Sequence, residues 1–188
     1  MANGVNTAYV SAGKPKVGGA IYRAPIGTTV PTDAKTKLDE AFKSLGYISD
    51  DGVENENKIS SDDVKAWGGN TVASLLKEKT DKFKTTLLEA LNVEVLKTVF
   101  GNDNVTGTLA DKVTIKANAK ELEDSVYVVE TVLRGGYLKR LVIPVGSISD
   151  VEKIEYRDNK LIGYGITITS KPDETENTHY EYIEKATD

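Results

Sequence analysis

With 188 residues, 39% of them hydrophobic and 28% charged, the chain has the composition of an average globular protein and enough length for one sizeable core. A formal net charge of −5 and only four arginines (Arg23, Arg134, Arg140, Arg157) leave no basic cluster that could neutralise a phosphate backbone, which excludes a tight nucleic-acid binder. The absence of cysteine excludes a disulfide framework, a thiolate metal site and a thiol nucleophile, and no apolar run nears the roughly 18 residues of a membrane helix.

Residues 1–18 are rich in Gly, Asn, Ser and Lys without an apolar period, and read as a flexible N-terminal arm. No basic cluster followed by an apolar stretch stands among them, so the expectation is a protein made and folded in a cytoplasm. Residues 20–24 form a short strand closed by Pro25 and Gly27. Leu38, Ala41, Phe42 and Leu45 then recur at helical spacing, with Pro31-Thr32-Asp33 as start signals and Gly46 as a C-terminal cap; the expectation is an amphipathic helix on the outside of something larger. Residues 47–72 are polar and acidic and read as a long loop, a length at which loops commonly serve a function.

Two strands, 71–77 and 83–91, flank a turn at Lys79-Thr80-Asp81. Asn92 can cap a second short helix with Val93, Leu96, Val99 and Phe100 inward and Gly101 at its end. The remainder alternates as strands: 113–117; 126–133, apolar on both faces except at Glu130, as in a central strand; 137–145 after the Gly135-Gly136 turn; 151–156 and 161–169 joined by Arg157-Asp158-Asn159-Lys160; and 179–183. Within 161–169, Ile162, Tyr164, Ile166 and Ile168 share one face, and small residues the other. The fold class expected is mainly β (α+β), a single-domain β-sandwich or barrel over residues 1–188 with one flanking helix and a second short one.

Chemistry is sparse. His179 is the only histidine, in a polar stretch, and reads as a surface residue. Residues 13–19 lack the spacing of a phosphate loop, and residues 102–107 lack the glutamate that a calcium loop needs at its twelfth position, which here is Val113. No carboxylate pair sits among the apolar residues that would raise one pKa for acid catalysis. Neither catalytic residues nor a cofactor nor a metal site is expected. Trp67, the single tryptophan, reads equally as an anchor at a subunit contact or as a core residue pinning the acidic stretch to the body.

One extended pattern carries more. Gly18-Gly19-Ala20-Ile21-Tyr22-Arg23-Ala24-Pro25-Ile26-Gly27-Thr28, Val30-Pro31-Thr32-Asp33, the run from Leu38 through Phe42 to Leu45-Gly46-Tyr47-Ile48-Ser49-Asp50-Asp51-Gly52-Val53, and Ala66-Trp67-Gly68-Gly69-Asn70-Thr71-Val72 together resemble phage tail tube proteins over about residues 8–75. The resemblance implies a virion structural protein of a long-tailed, siphovirus-like phage, with a β-sandwich or barrel like that of type VI secretion tube proteins. It implies six copies in a ring, rings stacked into a tube, and an N-terminal arm and a long loop reaching neighbouring rings. The implied partners are further copies of the chain, a tape-measure protein, tail terminator and baseplate or initiator proteins, and genomic DNA in transit without specific binding. Assembly would occur in the host cytoplasm, and an acidic lumen would let DNA slide.

On this basis the expected assembly contacts are Tyr22, Asp50, Asp51, Glu54 and Trp67. The alternatives weighed are a tube protein of a secretion or contractile injection system, and a monomeric β-sandwich binding module with a concave apolar pocket.

Overall fold

The computed structural model describes residues 4–186. Its strands are β1 (Lys14–Pro15), β2 (Ile21–Pro25), β3 (Lys43–Ser44), β4 (Glu54–Lys65), β5 (Thr71–Leu87), β6 (Val105–Gly107), β7 (Val113–Ile115), β8 (Ser125–Leu133), β9 (Tyr137–Val151), β10 (Tyr164–Ser170) and β11 (Tyr180–Lys185); the helix α1 spans Val93–Phe100. Every strand pairing is antiparallel, in the order β3-β2-β8-β9-β10-β5-β4, with β1 added to β8 and β11 to β9. The mainly β expectation holds.

Strand β9 turns the corner of the fold. Its first half pairs with β8 and β11, and from Gly146 onward it pairs with β10. Gly146 is where the backbones crowd: a Cβ there would lie 2.8 Å from both Ile168 and Tyr127 side-chain atoms. Residues 43–49 then join the two ends of the curled sheet. Leu45 N–H donates to Ile21 O on β2, while Ser49 N–H donates to Thr86 O and Leu88 N–H to Tyr47 O on the β5 side. The sheet is thereby drawn into a barrel.

Because side chains alternate along a strand, the central strand feeds two cores. Tyr127 and Val129 of β8 enter the barrel interior with Ile21, Leu45, Phe83, Leu87, Ile143, Ile166 and Ile168. Val126 and Val128 point the other way, into an outer core with Ala24, Phe42 and Val142. Helix α1 starts where the Asn92 side chain accepts from Glu94 N–H, ends at Gly101 with φ +98°, and buries Val95, Leu96 and Val99 against the interior cluster.

Five expectations are corrected. The helix over Leu38–Leu45 does not form. Asp33 Oδ1 accepts from the backbone N–H groups of Lys35 and Thr36, and Arg140 donates to the carbonyl oxygens of Asp33 and Thr36, which removes those groups from any helical ladder. The apolar stripe is real but divides: Leu45 faces the barrel interior and Phe42 the outer core. The long acidic loop over 47–72 is instead largely strand β4 and the turn that leads into β5.

Nor is there a turn at Lys79-Thr80-Asp81, since β5 runs through it unbroken. Residues 151–156 and 161–163 contribute only the end of β9 and an isolated Arg157–Lys160 bridge, and the expected hairpin pairs β9 with β10 across this long connection. In the N-terminal arm, residues 4–15 are exposed, but β1 pairs with β8 and Lys16 Nζ lies 2.9 Å from Glu130, which ties the arm down at its base. Residues 1–3 of the expected arm lie outside the described residues.

Candidate functional site: the projecting hairpin and its root

Strands β4 and β5 pair from Glu54↔Lys84 to Lys65↔Thr71, with register shifts at Ser60/Ser61 and Val64/Lys65. Only the lower part of β5, Lys82 to Leu87, also pairs with β10. Beyond that point the two strands have no other sheet partner among the described residues, and nearly every residue from Glu54 to Lys79 is exposed. The result is an arm roughly 30 Å long at ~3.3 Å per residue. At its tip, Ala66 N–H donates to Asn70 O and Gly69 N–H to Ala66 O, with Gly68 and Gly69 at φ +105° and +89° as a tight turn requires.

An isolated two-stranded hairpin is marginal in water, because it has no face to bury. This one nonetheless exposes Ile59, Val72, Leu75 and Leu76, and Trp67 at the tip is 106% exposed. Trp67 therefore packs on none of the described residues, which overturns its reading as a core residue. Along the arm, Lys58 pairs with Glu56 and Lys77 lies 3.4 Å from Asp62.

The root of the arm is a hydrogen-bonded node. Asp81, only 1% exposed, accepts from Asn55 Nδ2 at 2.7 Å and Thr178 Oγ1 at 2.8 Å, and its Oδ2 lies 2.5 Å from His179 Nδ1. Burial pushes the Asp81 pKa up, but the Asn55, Thr178 and His179 hydrogen bonds outweigh it and hold the carboxylate below its ordinary value. The His179 ring also meets Phe83 edge-on. His179 is thus half-buried and engaged, a correction to its reading as a surface residue. No local pattern signals this node, since the donors lie 26 to 98 positions from Asp81.

A second buried network lies under the outer core. Arg140 and Glu130, 1% and 4% exposed, are joined through Nε at 3.0 Å, and Lys16 caps the other carboxylate oxygen. Glu130 was legible as the odd residue of a central strand; its partner was not.

The five expected contact residues fall in different places. Asp50 and Asp51 stand exposed on the turn closed by Gly52 N–H to Ser49 O, beside an open groove on the barrel. Glu54 starts the arm opposite Lys84, and Trp67 ends it. Tyr22 is apart from these, half-buried against the outer core between Ser44 and Val128; burial and the Glu130 charge raise its pKa against the lowering effect of Arg140. No group of three or more metal-ligating side chains occurs among the described residues, and no helix among them is long and apolar enough to cross a membrane.

The barrel and its arm define a β-rich structural subunit whose most exposed chemistry is apolar and lies on a projection. The chain belongs to the phage tail tube protein family, whose model matches residues 6–188. It is a structural component of the virion tail, a family role that entails assembly with itself and with other tail parts. No curated protein matches it.

Proposed function

We propose that six copies of this chain form a ring around a lumen, and that rings stack into the tail tube of a long-tailed, siphovirus-like phage. The observation that carries the proposal is the arm: about 25 exposed residues with apolar side chains on both faces and a tryptophan at the tip, stable only against another surface. Free edges at β4 and β11 would be an aggregation hazard in a lone subunit, and closure into a ring removes them.

The tube would enclose a tape-measure protein during assembly in the host cytoplasm, start on baseplate or initiator proteins and end at a terminator. It would then conduct the genome into the host. The net charge of −5 suits a wall that DNA phosphates do not stick to. The assembly contacts proposed are Tyr22, Asp50, Asp51, Glu54 and Trp67, with Tyr22 on the outer-core face apart from the other four.

Negative-stain electron microscopy of the purified protein over rising concentration, with mass from light scattering, tests this reading. Sixfold rings with a central hole, or tubes built of them, are expected. A monodisperse monomer at every concentration would refute self-assembly of the free chain.

A further inference from the structure

One edge of β8 is closed in two stages. Strand β2 pairs with it from Ile21↔Val129 to Pro25↔Ser125, and β1 covers what β2 leaves, at Lys14↔Val132 and Pro15↔Thr131. Between the two the chain bends tightly: Gly19 N–H donates to Lys16 O, with Gly18 and Gly19 at φ +100° and +132°. On its other side β8 is held by β9 over the same stretch, from Thr131↔Lys139 to Leu133↔Tyr137. Without β1, Thr131–Leu133 would be the outer strand of a sheet, presenting backbone groups that another chain can pair with.

Little holds this cover in place. Lys16 N–H donates to Glu130 O at 3.2 Å, Arg134 N–H donates to Ser11 Oγ at 2.7 Å, and Lys16 Nζ lies 2.9 Å from Glu130. Ser11 to Pro15 and Val17 are all exposed, so no apolar side chain of the segment anchors it. A segment with so little burial opens locally at small cost. Gly18 and Gly19 supply a hinge, because glycine takes such φ values without strain.

The cover is itself built to refuse a further strand. Pro15 has no N–H to offer, and Lys14 and Lys16 flank it, which are the residues that keep outer strands from pairing. We propose that Ser11–Lys16 is an autoinhibitory strap: it closes the β8 edge of the free subunit, and a second copy can pair there only after the strap swings away about Gly18-Gly19. The proposal rests on the self-assembly proposed above and adds what restrains a free subunit from it. Lys16 is the catch. It alone of residues 11–17 is partly buried, and its ammonium reaches the Glu130 carboxylate that Arg140 also holds. The fraction of subunits with the strap open then scales the apparent affinity of one copy for the next.

The geometry offers a lock. A Cβ at Gly13 would lie 3.8 Å from Thr131 Cβ, within the roughly 3.5–4.5 Å that a disulfide spans, and the chain has no cysteine of its own. Full-length Gly13→Cys/Thr131→Cys protein is oxidised as the free subunit, and its assembly is followed by light scattering before and after dithiothreitol. Oxidation should slow assembly by about tenfold or more, and reduction should restore the wild-type course. Lys16→Gln, which releases the catch and leaves the edge intact, should shorten the lag several-fold; it carries the test alone if circular dichroism shows the double variant unfolded. Three results would each overturn the strap and leave the tube reading standing: no disulfide in a folded double variant, oxidised protein that assembles as fast as reduced, or Lys16→Gln no faster than wild type. Failure of both wild type and Lys16→Gln to assemble would overturn both readings.

Discussion

Oδ2 of Asp81 and Nδ1 of His179 meet at 2.5 Å where the hairpin leaves the barrel, joining residues 98 positions apart in the chain. On one side of this contact stands the root of the arm, and on the other the segment leading into β11. Asn55 from β4 and Thr178 complete the shell of donors around the carboxylate.

Replacing that carboxylate should loosen the root of the arm. Asp81→Ala leaves the Asn55, Thr178 and His179 donors without an acceptor, and an orphaned polar group costs about 1–3 kcal/mol. The chemical denaturation midpoint should fall accordingly, and hydrogen exchange should rise in Glu54–Lys65 and at Thr178–His179 more than in β8. Because the folded-state pKa of Asp81 is depressed, its contribution is full above the ordinary value of 3.8 and is lost as pH falls below it. Acid titration of the wild type should therefore show exchange at the arm root rising below that pH, a step absent from Asp81→Asn.

Arg140 and Glu130 should behave as a unit. Arg140→Met leaves the buried Glu130 carboxylate with only the partly exposed Lys16 as a charged partner and frees the carbonyls of Asp33 and Thr36, so a loss of about 3 kcal/mol is expected. Glu130→Met with Arg140→Met should recover much of it, since an apolar pair strands no charge. A double-mutant cycle in denaturant measures the difference. Equal losses in single and double variants would mean that the carbonyl contacts dominate over the ion pair.

Tyr127 sets an alkaline limit. Burial raises its phenol pKa to about 12, despite the nearby Arg23 charge. A group with a raised folded pKa favours the native state fully below its unfolded value of 10.0, and the contribution is lost as pH climbs from there toward about 12. Ultraviolet titration of the nine tyrosines should show one that ionises last, together with unfolding, and the Tyr127→Phe protein should lack it.

The arm is separable from the fold. Ser60 and Glu78 are paired across it, so an Asn-Gly turn can replace residues 61–77 in register. Removing exposed residues should leave stability within about 0.5 kcal/mol of wild type. Light scattering should show assembly abolished. A shortened protein that assembles as before would remove the arm from the account.

At the corner of β9, Gly146→Ala would push a methyl group against Ile168 and Tyr127 at 2.8 Å, contacts on two different strands. Overpacking of this kind costs about 1–3 kcal/mol, readable as a lower melting temperature.

How much of this could be read from residues alone follows from where local pattern and tertiary contact agree. Strand β8 was legible because its run of apolar residues on both faces means burial on both faces, and α1 because Asn92 and Gly101 mark its ends by local chemistry. The stripe from Leu38 to Leu45 misled because the same spacing serves a chain that sends Phe42 and Leu45 into two cores while Arg140, about 100 residues on, holds its carbonyls. The arm was hidden because polar residues on both faces of β4 give no period to detect. Trp67 was the visible part of the site; the groove and the Asp81 node exist only once distant segments are folded together.

The most direct measurement is a cryo-electron microscopy reconstruction of the assembled wild-type protein. The expected result is a hollow, sixfold assembly in which the β4–β5 arm of each copy lies on another copy, with Trp67 covered. An assembly without a lumen, or one in which the arms extend into solvent, would contradict it.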